Sequence, residues 1–156
     1  PCAVGFWLRK CGFHNDRDTW TIAQKTTKET RLHELHWKIL HNIYPTNIML
    51  CQLRVKDSKQ CSYCNNVDYT EHFFYDCKIA REQWKCVEDD VLGLTGKRVQ
   101  LSLHDVLFGV KRKENLYTDD IATLNHLILI GKMCISKTKK KKKTEAQMPI
   151  RFTYPF

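Results

Sequence analysis

Apolar runs in this chain reach only about five residues, around Leu127 to Ile130, far below the roughly 18 that a bilayer-spanning helix needs. No secretion signal opens the sequence, which begins Pro1-Cys2-Ala3 without a methionine. The missing initiator suggests a piece of something longer. No segment repeats, and none alternates apolar and polar residues with the period of two that marks a half-buried strand. The eight cysteines are too sparse for a small disulfide scaffold. Without a secretion signal, metal binding is the better reading of them. At 156 residues there is room for one domain, or one domain with an appendage, but not for a polymerase or a full nucleotide-binding machine.

What is present begins with charge. The formal net charge is +9, and it is unevenly placed. Residues 131–156 carry eight of the 26 Lys/Arg and one of the 17 acids, Glu145, which leaves residues 1–130 at only +2. The body is nearly neutral and the basic character belongs to the end of the chain, so a high isoelectric point says little about the body's partners.

Helical spacing dominates the pattern of apolar residues, and the expected fold is mainly α. Residues 1–19 read as an irregular N-terminal segment. Thr26 followed by Glu29 reads as a capping box, and Leu32, Leu35, Ile39, Leu40 and Ile43 recur at helical spacing over 27–43. Tyr44-Pro45 stops that helix, and Thr46 caps a short one over 47–54. Residues 55–69 are polar and turn-rich. A helix is expected over about 78–92, broken by Gly93 and Gly96; another runs from Ser102 to Phe108, ended by Gly109. Thr118 caps a long one over about 119–136. The domain reading is a central unit over 20–110, a C-terminal helix over 111–136, and a lysine-rich, disordered tail over 137–156.

The chemistry lies in the polar stretch. Cys61, Cys64, His72 and Cys77 spell C-x2-C-x7-H-x4-C. A C-x2-C turn presents two thiolates to one point, and H-x4-C returns two more ligands from one helical turn. Zinc takes four such N/S ligands in a tetrahedron, and four protein ligands with no open position describe a closed, structural site. The H-x4-C half resembles that of retroviral zinc knuckles, with a longer middle loop here. The region has little apolar material to fold it, and structural zinc contributes on the order of 10–16 kcal/mol in small peptides. The aromatics around the motif, Tyr63 and Phe74 among them, either stack on nucleic-acid bases or pack around the metal.

Further signals accumulate in order: Lys38-Ile39-Leu40-His41, Tyr44-Pro45-Thr46, Cys61 and Cys64, Glu71-His72-Phe73-Phe74, Cys77, Trp84, and Asp105-Val106-Leu107-Phe108-Gly109. This combination, over about residues 20–136, resembles the reverse-transcriptase zinc-binding domain at the C-terminal end of LINE-type non-LTR retrotransposon polyproteins. The resemblance implies that Cys61, Cys64, His72 and Cys77 bind Zn2+. It also implies that the domain handles template RNA or target DNA beside the rest of a parent reverse transcriptase. The sequence carries neither polymerase palm nor endonuclease, so the expectation is a non-catalytic fragment with no membrane or small-molecule partner, nuclear or cytoplasmic. The alternative expectation is a purely structural scaffold that packs on the polymerase and touches no nucleic acid.

Other motifs weigh less. Tyr117-Thr118-Asp119-Asp120 spells the Y-x-D-D of reverse transcriptases, but a charged run precedes it and a helical period follows, so the two aspartates read as the first turn of a helix. His33 and His36 stand three apart without a further ligand and read as packed side chains. Cys51 and Cys86 read as small buried hydrophobes. Lys137 and the run Lys139, Lys140, Lys141, Lys142 and Lys143 read as a phosphate-binding arm, a nuclear-import signal, a solvated run or a translated A-rich tract.

Overall fold

Helix begins earlier than the sequence suggests. The computed structural model describes residues 3–12 and 17–141, and the segment expected to be irregular holds α1 (Ala3–Cys11) and the start of α2 (Arg17–Thr26). Trp7 pins α1. Its ring is fully buried, edge-on to Phe108, and its indole N–H donates to the Leu40 carbonyl at 2.8 Å. One tryptophan makes no periodicity, so this anchor leaves no mark in the apolar pattern.

The helix expected over 27–43 is α3, Thr30–Leu40. The capping box does not form. Thr26 instead belongs to α2, its hydroxyl donating to the Ile22 carbonyl at 2.6 Å, and Glu29 is the N-cap with its amide on Thr27 Oγ1 at 3.2 Å. The stop is Asn42, which takes a left-handed φ of 51° and lets the Ile43 amide reach back to the Lys38 carbonyl at 2.9 Å. That six-residue closure ends the helix before Pro45 can act. Leu32, Leu35, Ile39 and Leu40 are buried as expected, whereas Ile43 is exposed.

Helix α4 is short, Asn47–Gln52. Its N-cap Thr46 makes no side-chain bond; the Asn47 amide donates to Asp68 Oδ2 at 3.2 Å. Helix α5 runs Lys78–Thr95, straight through Gly93, and ends where Gly96 turns left-handed at φ 70°. Ser102 caps α6 (Leu103–Phe108) with a reciprocal Asp105 bond, as its sequence indicates.

The organising element is α7, Thr118–Lys140, which packs on α2, α3, α5 and a one-turn π-helix at His72–Asp76. Leu124, Leu127, Ile128 and Ile135 face the core. At Gly131 the α5 side comes so close that an added Cβ would stand 2.6 Å from the Trp84 ring. Helix α7 begins after Tyr117 rather than Thr118, with the Tyr117 amide on Asp120 Oδ2 at 3.2 Å. It also ends later than expected. Residues 137–140, read as the start of a disordered tail, form its last turn. Lys142, Lys143 and the rest of that tail lie outside the described residues. Among the described residues the only strand-like pairing is an isolated antiparallel bridge, Gln60 to Val67.

Candidate metal centre

The first half of the motif is a small hairpin. Around the Gln60–Val67 bridge, the Cys61 amide donates to the Asn66 carbonyl at 2.7 Å and the Asp68 amide to the Lys59 carbonyl at 2.9 Å. The turn between them closes when the Asn65 amide reaches the Cys61 carbonyl at 2.9 Å, with Asn65 left-handed at φ 60°. Asparagine tolerates that backbone better than most residues. The loop thus curls Cys61 and Cys64 toward one point.

The second half is the π turn. The Cys77 amide donates to the His72 carbonyl at 2.9 Å, five residues back. The wider winding brings residue 77 round beneath residue 72. At 3.6 residues per turn an α-helix would carry it well past. So the x4 spacing works through a π turn, not through the ordinary helical turn that the motif suggests. Cys77 then serves as N-cap of α5, where the helix dipole favours a thiolate.

The four side chains converge. Their ligand atoms all lie within 4.8 Å of one another. Cys61 Sγ and Cys77 Sγ are 3.7 Å apart, and Cys64 Sγ is 3.2 Å from His72 Nε2. A disulfide needs about 2.05 Å between sulfurs; two ligands on a tetrahedral zinc, each about 2.3 Å from the metal, stand a little under 4 Å apart. The separation therefore fits the metal and not the disulfide. Cys61, His72 and Cys77 are buried, and Cys64 is half-buried. Without a cation, two thiols so close cannot both ionise. The hydrogen bond from Cys61 pulls Cys77 down, helped by the Lys139 ammonium against the opposing effect of burial. The same bond, with burial, pushes Cys61 up. This is a donor set arranged to share a positive charge.

Two neighbours complete the surroundings, and neither is read from the sequence as part of the metal centre. Asp68 sits just past the hairpin and caps α4. Lys139, from the last turn of α7, lies 3.7 Å from Asp68 Oδ1, and both side chains are only 4% exposed. A signal for Lys139 exists: extending the inner face of α7 from Ile128 through Lys132 and Ile135 by one further turn reaches it.

Of the side chains expected to contact nucleic acid, Phe74 and Lys139 are turned inward. Phe74 is fully buried against Tyr44 and Phe73 and offers no face to a base. Tyr63 is half-buried, its hydroxyl donating to the Thr138 carbonyl at 3.1 Å, so it ties the hairpin to α7. Lys139 faces inward. Lys140 and Lys141 remain exposed. Asp119 and Asp120 do begin a helix, Asp120 pairing with Lys97 at 3.0 Å. Among the described residues Cys61, Cys64, His72 and Cys77 form the one cluster able to hold a metal. His36 is packed, its Nδ1 3.0 Å from Lys132 Nζ, and His33 bonds the Thr27 carbonyl at 2.7 Å. No described helix is long and apolar enough to cross a membrane.

A buried Cys3His cluster carried by a hairpin and a π turn, braced by helices, defines a closed zinc-finger-like domain. The family model described as zinc-binding in reverse transcriptase matches residues 6–84, and the chain belongs to that family. The match takes in most of α1 and all four clustered residues. No curated protein matches the chain.

Proposed function

We propose that the chain is a non-catalytic, zinc-stabilised domain of a LINE-type retrotransposon reverse transcriptase, holding one Zn2+ through Cys61, Cys64, His72 and Cys77. The convergence of four ligand atoms within 4.8 Å carries this reading. Bound zinc supplies a fixed, positively charged node that neutralises thiolates and adds folding energy. The chain's own residues do the rest. The hairpin and the π turn meet at the metal, α5 starts from Cys77, and Tyr63 ties the assembly to α7. Four protein ligands leave no position for a reacting water, so the role is structural.

The same reading gives the domain a weak hold on RNA or DNA phosphates through the exposed lysines Lys137, Lys140 and Lys141. The burial of Phe74 and Lys139 also supports the alternative, a scaffold that packs on the polymerase without touching nucleic acid.

Elemental analysis of the purified chain tests the metal. The expected result is one zinc per chain, lost in the double variant Cys61→Ser, Cys77→Ser. No zinc in the wild type, or full zinc in the double variant, overturns the reading.

A further inference from the structure

We propose that Lys139 is the counter-cation of the metal centre, so that the last turn of α7 and the zinc site stabilise each other. The inference rests on the zinc reading above.

One Zn2+ with three thiolates and a neutral imidazole carries a net charge of −1. A buried negative centre needs a compensating positive group. Lys139 supplies one. Its side chain is 4% exposed, and its Nζ has no hydrogen-bond partner. Asp68 pairs with it by charge but leaves its N–H groups unbonded: the gap of 3.7 Å exceeds the length of a charge-assisted hydrogen bond. The other Asp68 oxygen is occupied on the Asn47 amide, and Oδ1 is itself without a hydrogen bond. The ammonium rests 4.1 Å above the Phe73 ring, next in sequence to His72. That ring belongs to the π turn that carries His72 and leads directly into Cys77, so the ammonium is buried beside the metal centre. One residue earlier, the Thr138 carbonyl receives the Tyr63 hydroxyl. Consecutive residues of α7 thus hold the hairpin by a hydrogen bond and the π turn by a cation–π contact.

Zinc affinity, measured by competition with a chromophoric chelator at fixed pH and salt, tests the assignment. Lys139→Met should bind zinc 10–100-fold more weakly than wild type, the usual cost of losing a partner just outside the ligands. Lys139→Arg should stay within a few-fold. A structural role for the side chain is separated by Cys64→His, which makes the centre neutral: there the further change Lys139→Met should cost less than threefold. Equal affinity of Lys139→Met and wild type overturns the proposal, as does an undiminished loss in the Cys64→His background. If Lys139→Met fails to fold, Lys139→Gln carries the same expectation. Should both uncharged variants fail while Lys139→Arg folds, the charge is upheld; failure of Lys139→Arg with them overturns it. Absence of zinc from the wild type sinks the zinc reading itself, whereas a zinc-loaded Lys139→Met of full affinity sinks only this inference.

Discussion

Lys132 is fully buried, and its Nζ meets His36 Nδ1 at 3.0 Å and the Leu107 carbonyl at 3.2 Å. Burial pulls its pKa down to about 7. His36 is also held well below its ordinary value, first by burial and then by Lys132. Between about pH 7 and 10.5 the unfolded chain keeps a lysine proton that the folded chain has shed. Stability therefore rises with pH across that window and is lost as pH falls through it. Lys132→Met, apolar and of similar length, should flatten the curve by a few kcal/mol, since a tenfold change in proton affinity is worth about 1.4 kcal/mol. Urea midpoints of both proteins in excess zinc, from pH 7 to 10, give the measurement. A wild-type curve as flat as the variant's would show that the pair carries no such coupling. At this scale the sequence is legible where type and spacing alone decide. The four ligands can be read from their intervals. Phe74 cannot, because an aromatic beside a ligand looks the same whether it packs inward or faces a base. Asp68 leaves no trace in the sequence, since its work depends on which loop folds over it.

Among the elements, α5 and α7 meet where Gly131 lets the Trp84 ring close in. The indole cannot move away freely, because its N–H donates to the Phe74 carbonyl at 2.7 Å, inside the π turn. Gly131→Ala should lower stability by roughly 1–3 kcal/mol through overpacking, despite alanine's better helix propensity. Thermal unfolding followed by circular dichroism checks the sign; a stabilised variant would mean that the interface gives way. Elements with strong period and punctuation are readable: α6 between Ser102 and Gly109, and α3 from its leucine stripe. Three readings fail for separate physical reasons. Gly93 does not stop α5, because buried Val87 and Val91 hold that helix in place at the modest cost of one glycine. The start of α3 differs from its expected place because Thr26 bonds backward to α2 instead of forward. The lysine run has the composition of a solvated segment, yet the helical period continues into it and turns Lys139 inward.

For the whole molecule, the near-neutral body and the basic end divide the work of any nucleic-acid contact. Replacing Lys137, Lys140 and Lys141 together by Gln keeps Lys139 in place and removes three exposed charges. On duplex DNA each neutralised phosphate contributes about −0.9 to the log–log salt slope, so the triple variant should flatten it by about 2–3. Binding measured across a salt series reads this directly. An unchanged slope would show that these three lysines do not make the contact. The mainly α fold can be expected from helical periods and the lack of alternation. How the pieces close on one another cannot, since Trp7 on Leu40, Tyr63 on Thr138 and Tyr44 on Ser136 join distant stretches that no local pattern connects.

Those long closures set an order of events during synthesis. A nascent chain that has just released Cys77 holds all four ligands, but not α5, the helix that starts from Cys77, and not α7. The Tyr63 tether spans 75 residues and the Tyr44–Ser136 bond spans 92. Chains emerge at roughly 5–20 residues per second, so the ligands wait several seconds before the last turn of α7 arrives. Through that interval neither the Thr138 carbonyl that holds Tyr63 nor the buried Lys139 is in place beside the cysteines. The structure thus makes the final turn of α7 a latch: the finger is assembled from the middle of the chain and shut from its end.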